Sequence, residues 1–300
     1  MQFIHAEISA HLPSVGQARR MFHGRGRMFP GYQDLLIDSY GPLLWITLFA
    51  ERQDEWLALL TELLRNLLPD VLCIAVQRRD LPQTPIVFLY GELPAQPQAL
   101  EAGLSYLLRP QVGQNIGFFI DMAAGRALVN QRAAGKKVLN LFAYSCSFSV
   151  AALDGGATQV VNVDMNRSAL ELGRKNHLYN NLDMRAVTFL PLEIFRSISR
   201  FRKLGPFDLI ICDPPFSQGK SFTAETHWPK LVAKLDQLLA PGGEVIACLN
   251  APYMSSHELK DIFSSNFPAL REQSCFSAGS DFPESDPKRG LTIQHFIRAQ

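Results

Sequence analysis

Four consecutive residues, Asp213-Pro214-Pro215-Phe216, follow the apolar stretch FDLIIC. Two adjacent prolines fix the backbone and remove two N–H donors. The carbonyls of Asp213 and Pro214 are then left to face a substrate. There they accept from a ring or exocyclic N–H of a nucleobase and raise that nitrogen's nucleophilicity. Phe216 offers a face on which a flipped or splayed base can stack. A strand end closed by a rigid turn would use the same residues. Asp164 ends the stretch TQVVNVDM. A carboxylate there accepts one hydrogen bond from each ribose hydroxyl and leaves no room for a 2′-phosphate. Its plainer role is to cap the helix opening at Asn166. The turn Phe142-Ala143-Tyr144-Ser145-Cys146-Ser147 follows the apolar KKVLNLF. Its backbone N–H groups lie near an expected helix N-terminus and favour polar or anionic ligands. The turn has no glycine, and a pyrophosphate requires glycines for close backbone approach. A carboxylate or amino-acid moiety suits it better.

These residues need elements to position them, and the chain after residue 97 alternates strictly. Strand patterns KKVLNLF, TQVVNVDM, RAVTFLP, FDLIICD and GEVIACLN are separated by the helical patterns SFSVAALDGG, RSALELGRKNHLYNN, LEIFRSISRFR and WPKLVAKLDQLL. The helix SSHELKDIFSS and the strands LREQSCF and LTIQHFIR close the chain. Such alternation predicts an α/β fold with a parallel sheet covered on both faces. Ligands of such sheets bind outside the carboxyl ends of the strands, at the switch point. Phe142–Phe148, Asp164, Glu193, Asp213–Phe216 and Asn250 fall there. Residues 1–95 read as mixed α/β. A hairpin is expected around Gly41-Pro42, a helix over DEWLALLTELLRNLL, and strands over VLCIAVQRR and IVFLYGE. LPAQPQALEAG is the most linker-like stretch and sets a boundary near residue 97.

Composition narrows the function. The chain has 300 residues, 47% apolar and 19% charged, enough for one large or two ordinary globular domains with a substantial core. Its 29 Lys+Arg against 28 Asp+Glu exclude a globally basic nucleic-acid binder, so RNA contact would need a local patch. Five dispersed cysteines exclude a disulfide framework and a cysteine zinc site, and no histidine spacing suggests a metal. The amino-terminal MQFIHAEISAH has no signal-peptide pattern, and no apolar run is long enough to span a bilayer. The expected location is the cytoplasm.

Taken together, the alternation, the acid after the second strand and the Asp-Pro-Pro-Phe after the fourth resemble a class I S-adenosylmethionine-dependent methyltransferase. The chain is most similar to the bacterial 23S ribosomal RNA methyltransferase group that acts on cytosine C5 or guanine N7. GQNIGFFIDMAAGR resembles that group's segment over the cofactor, and LNLFAYSCSFSVAALDGGA its cofactor loop. HGRGRMFPGYQDLLIDSYG resembles the start of its middle domain, and SDFPESDPKRG its tail. The resemblance implies a Rossmann-like seven-stranded methyltransferase sheet over residues 98–300 and a smaller α+β domain over 1–97, suited to RNA or substrate recognition. It implies that Gln114, Phe119, Asp121 and Arg126 frame the cofactor. Asn140, Phe142, Ala143 and Tyr144 would pass its methionine part, Asp164 and Met165 its ribose side, and Glu193 its adenine side. Asp213 would sit beside the methyl group, with Pro214, Pro215 and Phe216 completing the reacting edge. The implied cofactor is S-adenosyl-L-methionine and the implied partner RNA, ribosomal by resemblance. A homodimer stays open.

Three departures qualify that resemblance. Cys146 stands where family members carry glycine, so its side chain either narrows the cofactor pocket or is a small buried hydrophobe. The residue the group commonly carries between the second proline and the phenylalanine is absent, as in amino-group methyltransferases. C5 chemistry needs a thiolate to attack the ring, and the position after the fifth strand is Asn250, with Cys248 reading as core. Transfer to nitrogen is therefore expected over C5. The group's usual N-terminal RNA-binding module is not expected here. Basic residues Arg19, Arg20, Arg25 and Arg27, Arg200, Arg202 and Lys203, and Lys136-Lys137 offer phosphate contacts or ordinary solvated surface. A catalytically degenerate member that binds RNA or a partner remains a second reading. Methylation of a small molecule or a protein is a third. An NAD(P)-dependent oxidoreductase is disfavoured by the missing glycine fingerprint.

Overall fold

The computed structural model describes residues 1–12, 16–110, 115–215, 217–218, 222–251, 253–288 and 290–299. The chain forms two compact units, Met1–Asp121 with Gly279–Ser285, and Met122–Ala278 with Asp286–Gln300.

The first unit opens with α1 (Gln2–Ala10) and β1 (Ala18–His23), followed by β2 (Leu35–Tyr40) and β3 (Leu43–Leu48). Next come α2 (Asp54–Leu67), β4 (Cys73–Arg78), β5 (Ile86–Gly91) and the hairpin of β6 (Gln98–Glu101) and β7 (Leu104–Leu107). The five-stranded sheet has the order β1-β2-β3-β4-β5. The expected hairpin is present: Gly41 takes φ +65 between β2 and β3, a conformation open to glycine without a steric penalty. β3 and β4 are parallel, so α2 is a crossover helix. Its apolar positions Leu57, Leu60 and Leu64 are three to four residues apart and face the core with Ile37, Ile46 and Val76. The expected boundary near residue 97 falls between β5 and β6, and both strands lie in this unit.

The second unit contains α3 (Ala123–Arg132), β8 (Lys137–Leu141), α4 (Ser147–Asp154), β9 (Gln159–Val163), α5 (Arg167–Tyr179), β10 (Val187–Leu190) and α6 (Ile198–Leu204). It continues with β11 (Phe207–Cys212), the short pair β12 (Ser217–Gln218) and β13 (Phe222–Thr223), α7 (Ala224–Leu235), β14 (Leu239–Leu249), α8 (Ser256–Asn266), β15 (Leu270–Ser277) and β16 (Thr292–Arg298). The seven-stranded sheet has the order β10-β9-β8-β11-β14-β16-β15. β8, β9, β10, β11 and β14 are mutually parallel, whereas β16 inserts antiparallel between β14 and β15. The sheet is therefore mixed rather than wholly parallel. The inner parallel strands β8, β9, β11 and β14 are largely buried on both faces, which explains apolar runs such as Leu209–Cys212. Strand order reverses between β8 and β11, so the switch point lies at their carboxyl ends. No helix among the described residues is long and apolar enough to cross a membrane.

Candidate functional site

Register brings the strand-end residues into one row. Leu141 of β8 is level with Val163 of β9 and with Cys212 of β11, and Val163 is level with Leu190 of β10. Phe142, Asp164 and Asp213 are the next residues of three adjacent strands. Pro214 is buried and Pro215 exposed, both directly beyond β11. Gln114 and Phe216 lie outside the described residues.

The turn after β8 is unusual in its backbone. Phe142, Tyr144 and Cys146 take φ of +57, +45 and +60, a region that non-glycine residues occupy at a cost of roughly 1–3 kcal/mol each. Surrounding contacts impose this shape. The Ala143 N–H donates to Val163 O at 3.0 Å and the Cys146 N–H to Ala143 O at 2.7 Å. The Tyr144 N–H donates to Asp164 Oδ2 at 2.8 Å. Asn176 Nδ2 donates to Ser145 O at 3.0 Å, and Phe142 packs edge-on against Phe222 with centroids 5.1 Å apart. Three N–H groups of the turn are thus committed inside the protein, so it does not form a phosphate cradle. That fits a cofactor without phosphates.

Asp164 has two tasks. Oδ1 accepts from the Asn166 N–H at 2.8 Å while Oδ2 holds Tyr144. A carboxylate has about four lone-pair sites, so each oxygen keeps one for a vicinal diol. Burial raises the Asp164 pKa, against the two backbone hydrogen bonds that lower it. The helix-capping role belongs instead to Asn166, whose side chain accepts from the Ala169 N–H. Met165 is exposed beside it. Glu193, beyond β10, accepts from the Phe195 N–H at 3.1 Å and the Arg196 N–H at 2.7 Å, which fixes the turn on which it sits.

Other expected residues are placed differently. Asn140 lies inside β8, buried, with Nδ2 donating to Asn162 Oδ1 at 2.9 Å. It sits within the sheet rather than on the turn. Phe119 and Asp121 belong to the first unit, and Arg126 is buried in α3 of the second. Cys146 does not project into the turn. Its thiol is fully buried with Ala143, Leu170 and Phe189, and burial together with the Asp164 charge pushes its pKa well above the ordinary value. It rests on Gly173 of α5, where a Cβ would overlap Sγ and lie 2.8 Å from the cysteine Cβ.

Sequence reasoning missed the support beneath the turn. Asn162 Nδ2 donates to Ser149 Oγ at 2.9 Å, and Ser149 Oγ lies 2.8 Å from His177 Nε2. His177 Nδ1 lies 2.7 Å from Gly173 O. A carbonyl only accepts, so Nδ1 carries the proton and Nε2 accepts from Ser149. The chain joins β8, β9, α4 and α5, and its members are scattered over 38 positions from Asn140 to His177 without local pattern. Phe195, Phe222 and His227 form an aromatic group with Phe142 that was equally silent in the sequence.

No cysteine at the carboxyl edge is poised to ionise. Cys212 is buried and its pKa is raised by burial and by Asp213. Cys248 is buried within β14, in the core as expected, and Asn250 follows that strand.

A sheet of this order, with a carboxylate beyond its second strand and a phosphate-free turn at the switch point, defines a nucleoside-cofactor domain of the methyltransferase class. The S-adenosylmethionine-dependent methyltransferase family profile matches residues 19–297, and the chain belongs to that family. Its cofactor is S-adenosylmethionine. The chain is 31% identical over 286 residues to ribosomal RNA large subunit methyltransferase I of Shewanella amazonensis, covering 88% of this chain and 72% of that protein. The Aeromonas salmonicida protein of the same name is 28% identical over 284 residues, with the same coverages. Among solved structures, a Streptococcus mutans protein provisionally described as an S-adenosylmethionine-dependent methyltransferase superposes with TM-score 0.86. It is 26% identical, covering 99% of this chain and 81% of that one. A provisionally described methyltransferase in complex with SAH gives 0.84 at 26% identity, covering 99% and 77%.

Proposed function

We propose that this chain transfers the methyl group of S-adenosylmethionine to a nitrogen of a base in ribosomal RNA, in the cytoplasm. The observation that carries the reading is the aligned row at the carboxyl edge, where Asp164 beyond β9 and Asp213-Pro214 beyond β11 flank the turn after β8. Asp164 accepts from the ribose hydroxyls with Met165 beside it, Glu193 borders the adenine side, and Phe142, Ala143 and Tyr144 pass the methionine moiety. When bound, S-adenosylmethionine supplies an electrophilic methyl group on a sulfonium. Arg126 of α3 borders the cofactor from the segment before β8. The Asp213 and Pro214 carbonyls orient the target N–H. An already nucleophilic nitrogen needs mainly alignment. Nitrogen is favoured over C5 because the three cysteines nearest the edge, Cys146, Cys212 and Cys248, are buried, and the first two hold raised pKa values. The substrate class follows the names of the relatives in Shewanella amazonensis and Aeromonas salmonicida.

The test is transfer of labelled methyl groups from S-adenosylmethionine to unmodified 23S rRNA transcript, followed by nucleoside analysis. The expected product is an N-methylated base. A C5-methylated cytosine would refute the nitrogen assignment, and no incorporation into any rRNA would refute the substrate class.

A further inference from the structure

Six arginines of the first unit fall into two sets. Arg19 is clamped to Asp281, Arg20 to Asp38, Arg52 to Asp34 and Arg78 to Asp80, in each case through two nitrogens. Arg19 and Arg20, expected as phosphate contacts, are therefore spent on internal ion pairs. Arg25 and Arg27 have no carboxylate partner among the described residues and are exposed.

Both project from the tight turn Gly24–Gly26 that follows β1. The turn is pinned at both glycines. A Cβ on Gly24 would fall onto the Tyr32 carbonyl and 2.7 Å from Leu35 O, and one on Gly26 would fall onto the Pro283 carbonyl. The Ser285 N–H donates to Gly26 O at 2.8 Å. Arg27 closes the turn at φ +61, a conformation costly for a side chain of its size.

Arg25 is also held by its plane. Its guanidinium carbon lies 4.2 Å from the centroid of the Phe49 ring, and that of Arg79 lies 5.7 Å from the same ring. A guanidinium stacked on a ring presents its N–H fork outward along its edge, and that fork matches two phosphate oxygens. Two like charges crowd one ring, which an anion would relieve. Burial and the Arg25 charge both lower the Arg79 pKa.

We infer that the Gly24–Arg27 turn, with Phe49 as its platform, is a phosphodiester-binding site that docks the RNA strand through Arg25 and Arg27. This rests on the RNA substrate class proposed above. Arg79 stays on Gln77 Oε1 at 3.0 Å and completes the local positive field. Phe49 makes no phosphate contact itself and acts as a positioning residue for the Arg25 fork. Arg200, Arg202 and Lys203 on α6 are exposed and have no such platform among the described residues.

The experiment measures binding of the full chain to 23S rRNA transcript between 50 and 300 mM KCl, without methyl transfer. Wild type should bind with a steep salt dependence. Arg25→Ala and Arg27→Ala should each weaken binding about fivefold and reduce the log–log salt slope by roughly 0.7–0.9. Arg25→Lys should keep the slope but lose affinity, because the charge stays and the fork is gone. Phe49→Leu should weaken binding with the slope unchanged. S-adenosylmethionine affinity, read by calorimetry, should stay at the wild-type value in every variant. Wild-type affinity and slope in the Arg25→Ala/Arg27→Ala double variant would overturn the inference, as would no RNA binding by the wild type. Because binding is read apart from catalysis, RNA that binds through this turn but accepts no methyl group would refute only the proposed reaction.

Discussion

Replacing Gly173 by alanine adds one methyl group to α5 at the point where the helix passes beneath Cys146. That methyl would overlap the buried sulfur, lie 2.8 Å from the cysteine Cβ and 3.2 Å from Ser145 O. Overpacking of this kind costs roughly 1–3 kcal/mol, offset by about 0.5–1 kcal/mol of improved helix propensity. The net loss should be about 1–2 kcal/mol. It falls on a turn already held in the left-handed region at Phe142, Tyr144 and Cys146. S-adenosylmethionine affinity should therefore drop on the order of tenfold, since about 1.4 kcal/mol is one decade. Cys146→Gly alone should be close to neutral: glycine suits φ +60, while the buried thiol's contacts are lost. Combined with Gly173→Ala it should restore binding, because the new methyl fills the vacated space. Cys146→Ala should rescue only in part, since the Cβ-to-Cβ conflict persists. The assay is a double-mutant cycle read by calorimetry and thermal unfolding, with an expected coupling of about 1–2 kcal/mol. Strict additivity would refute the claim that Gly173 makes room for the cysteine in the cofactor turn.

Burial, more than the Arg174 charge, holds the His177 pKa down to about 4, against its hydrogen bond to Gly173. The unfolded chain takes up that proton near pH 6.5 and the native one does not. Stability should hold above pH 6.5 and fall below it, by about 2 kcal/mol at pH 5 for this residue. His23, lowered to about 3 by burial and by Arg20 and Arg25, should act likewise in the first unit. Denaturant midpoints from pH 8 to 5 check this, and a flat profile would contradict it. Glu244 accepts from Arg132, Lys136 and His295 in the middle of β14, and those partners hold its carboxyl well below the usual range despite burial. Glu244→Gln should lower stability by roughly 2–4 kcal/mol yet leave S-adenosylmethionine affinity intact, as chemical unfolding and calorimetry would register. Asp213→Ala keeps the backbone carbonyl but removes the carboxylate beside the methyl group, so methyl transfer should fall sharply while cofactor binding survives in part, and full activity in that variant would remove this side chain from the reacting edge.

How much of this was legible in the sequence depends on distance along the chain. The strands and helices after β8 follow local periodicity, and Asp164 and Asp213 stand out because each ends an apolar run. α7 begins at Ala224, four residues before the expected start at Trp228, because Pro229 resembles a first-turn proline but lies inside the helix. β1 had no readable strand pattern, since its polar residues Arg19 and Arg20 are satisfied by Asp281 and Asp38. Gly279–Ser285 belongs with the first unit through contacts more than 250 residues apart in sequence. The accommodation of Cys146 by Gly173 was invisible for the same reason. A cysteine at a glycine position reads in the sequence either as a narrowed pocket or as a small buried hydrophobe, and α5 supplies at Gly173 the room for the second.

The central claim is that Asp164 both holds the turn and receives the ribose. Calorimetric titration of S-adenosylmethionine into wild type and Asp164→Asn tests it most directly. Asparagine keeps the size and one acceptor but loses the charge and the second acceptor. Hydrogen bonds to a charged group contribute about 1.5–3 kcal/mol, so the account predicts roughly 10- to 100-fold weaker binding with folding retained. Unchanged affinity in a folded Asp164→Asn variant would contradict it.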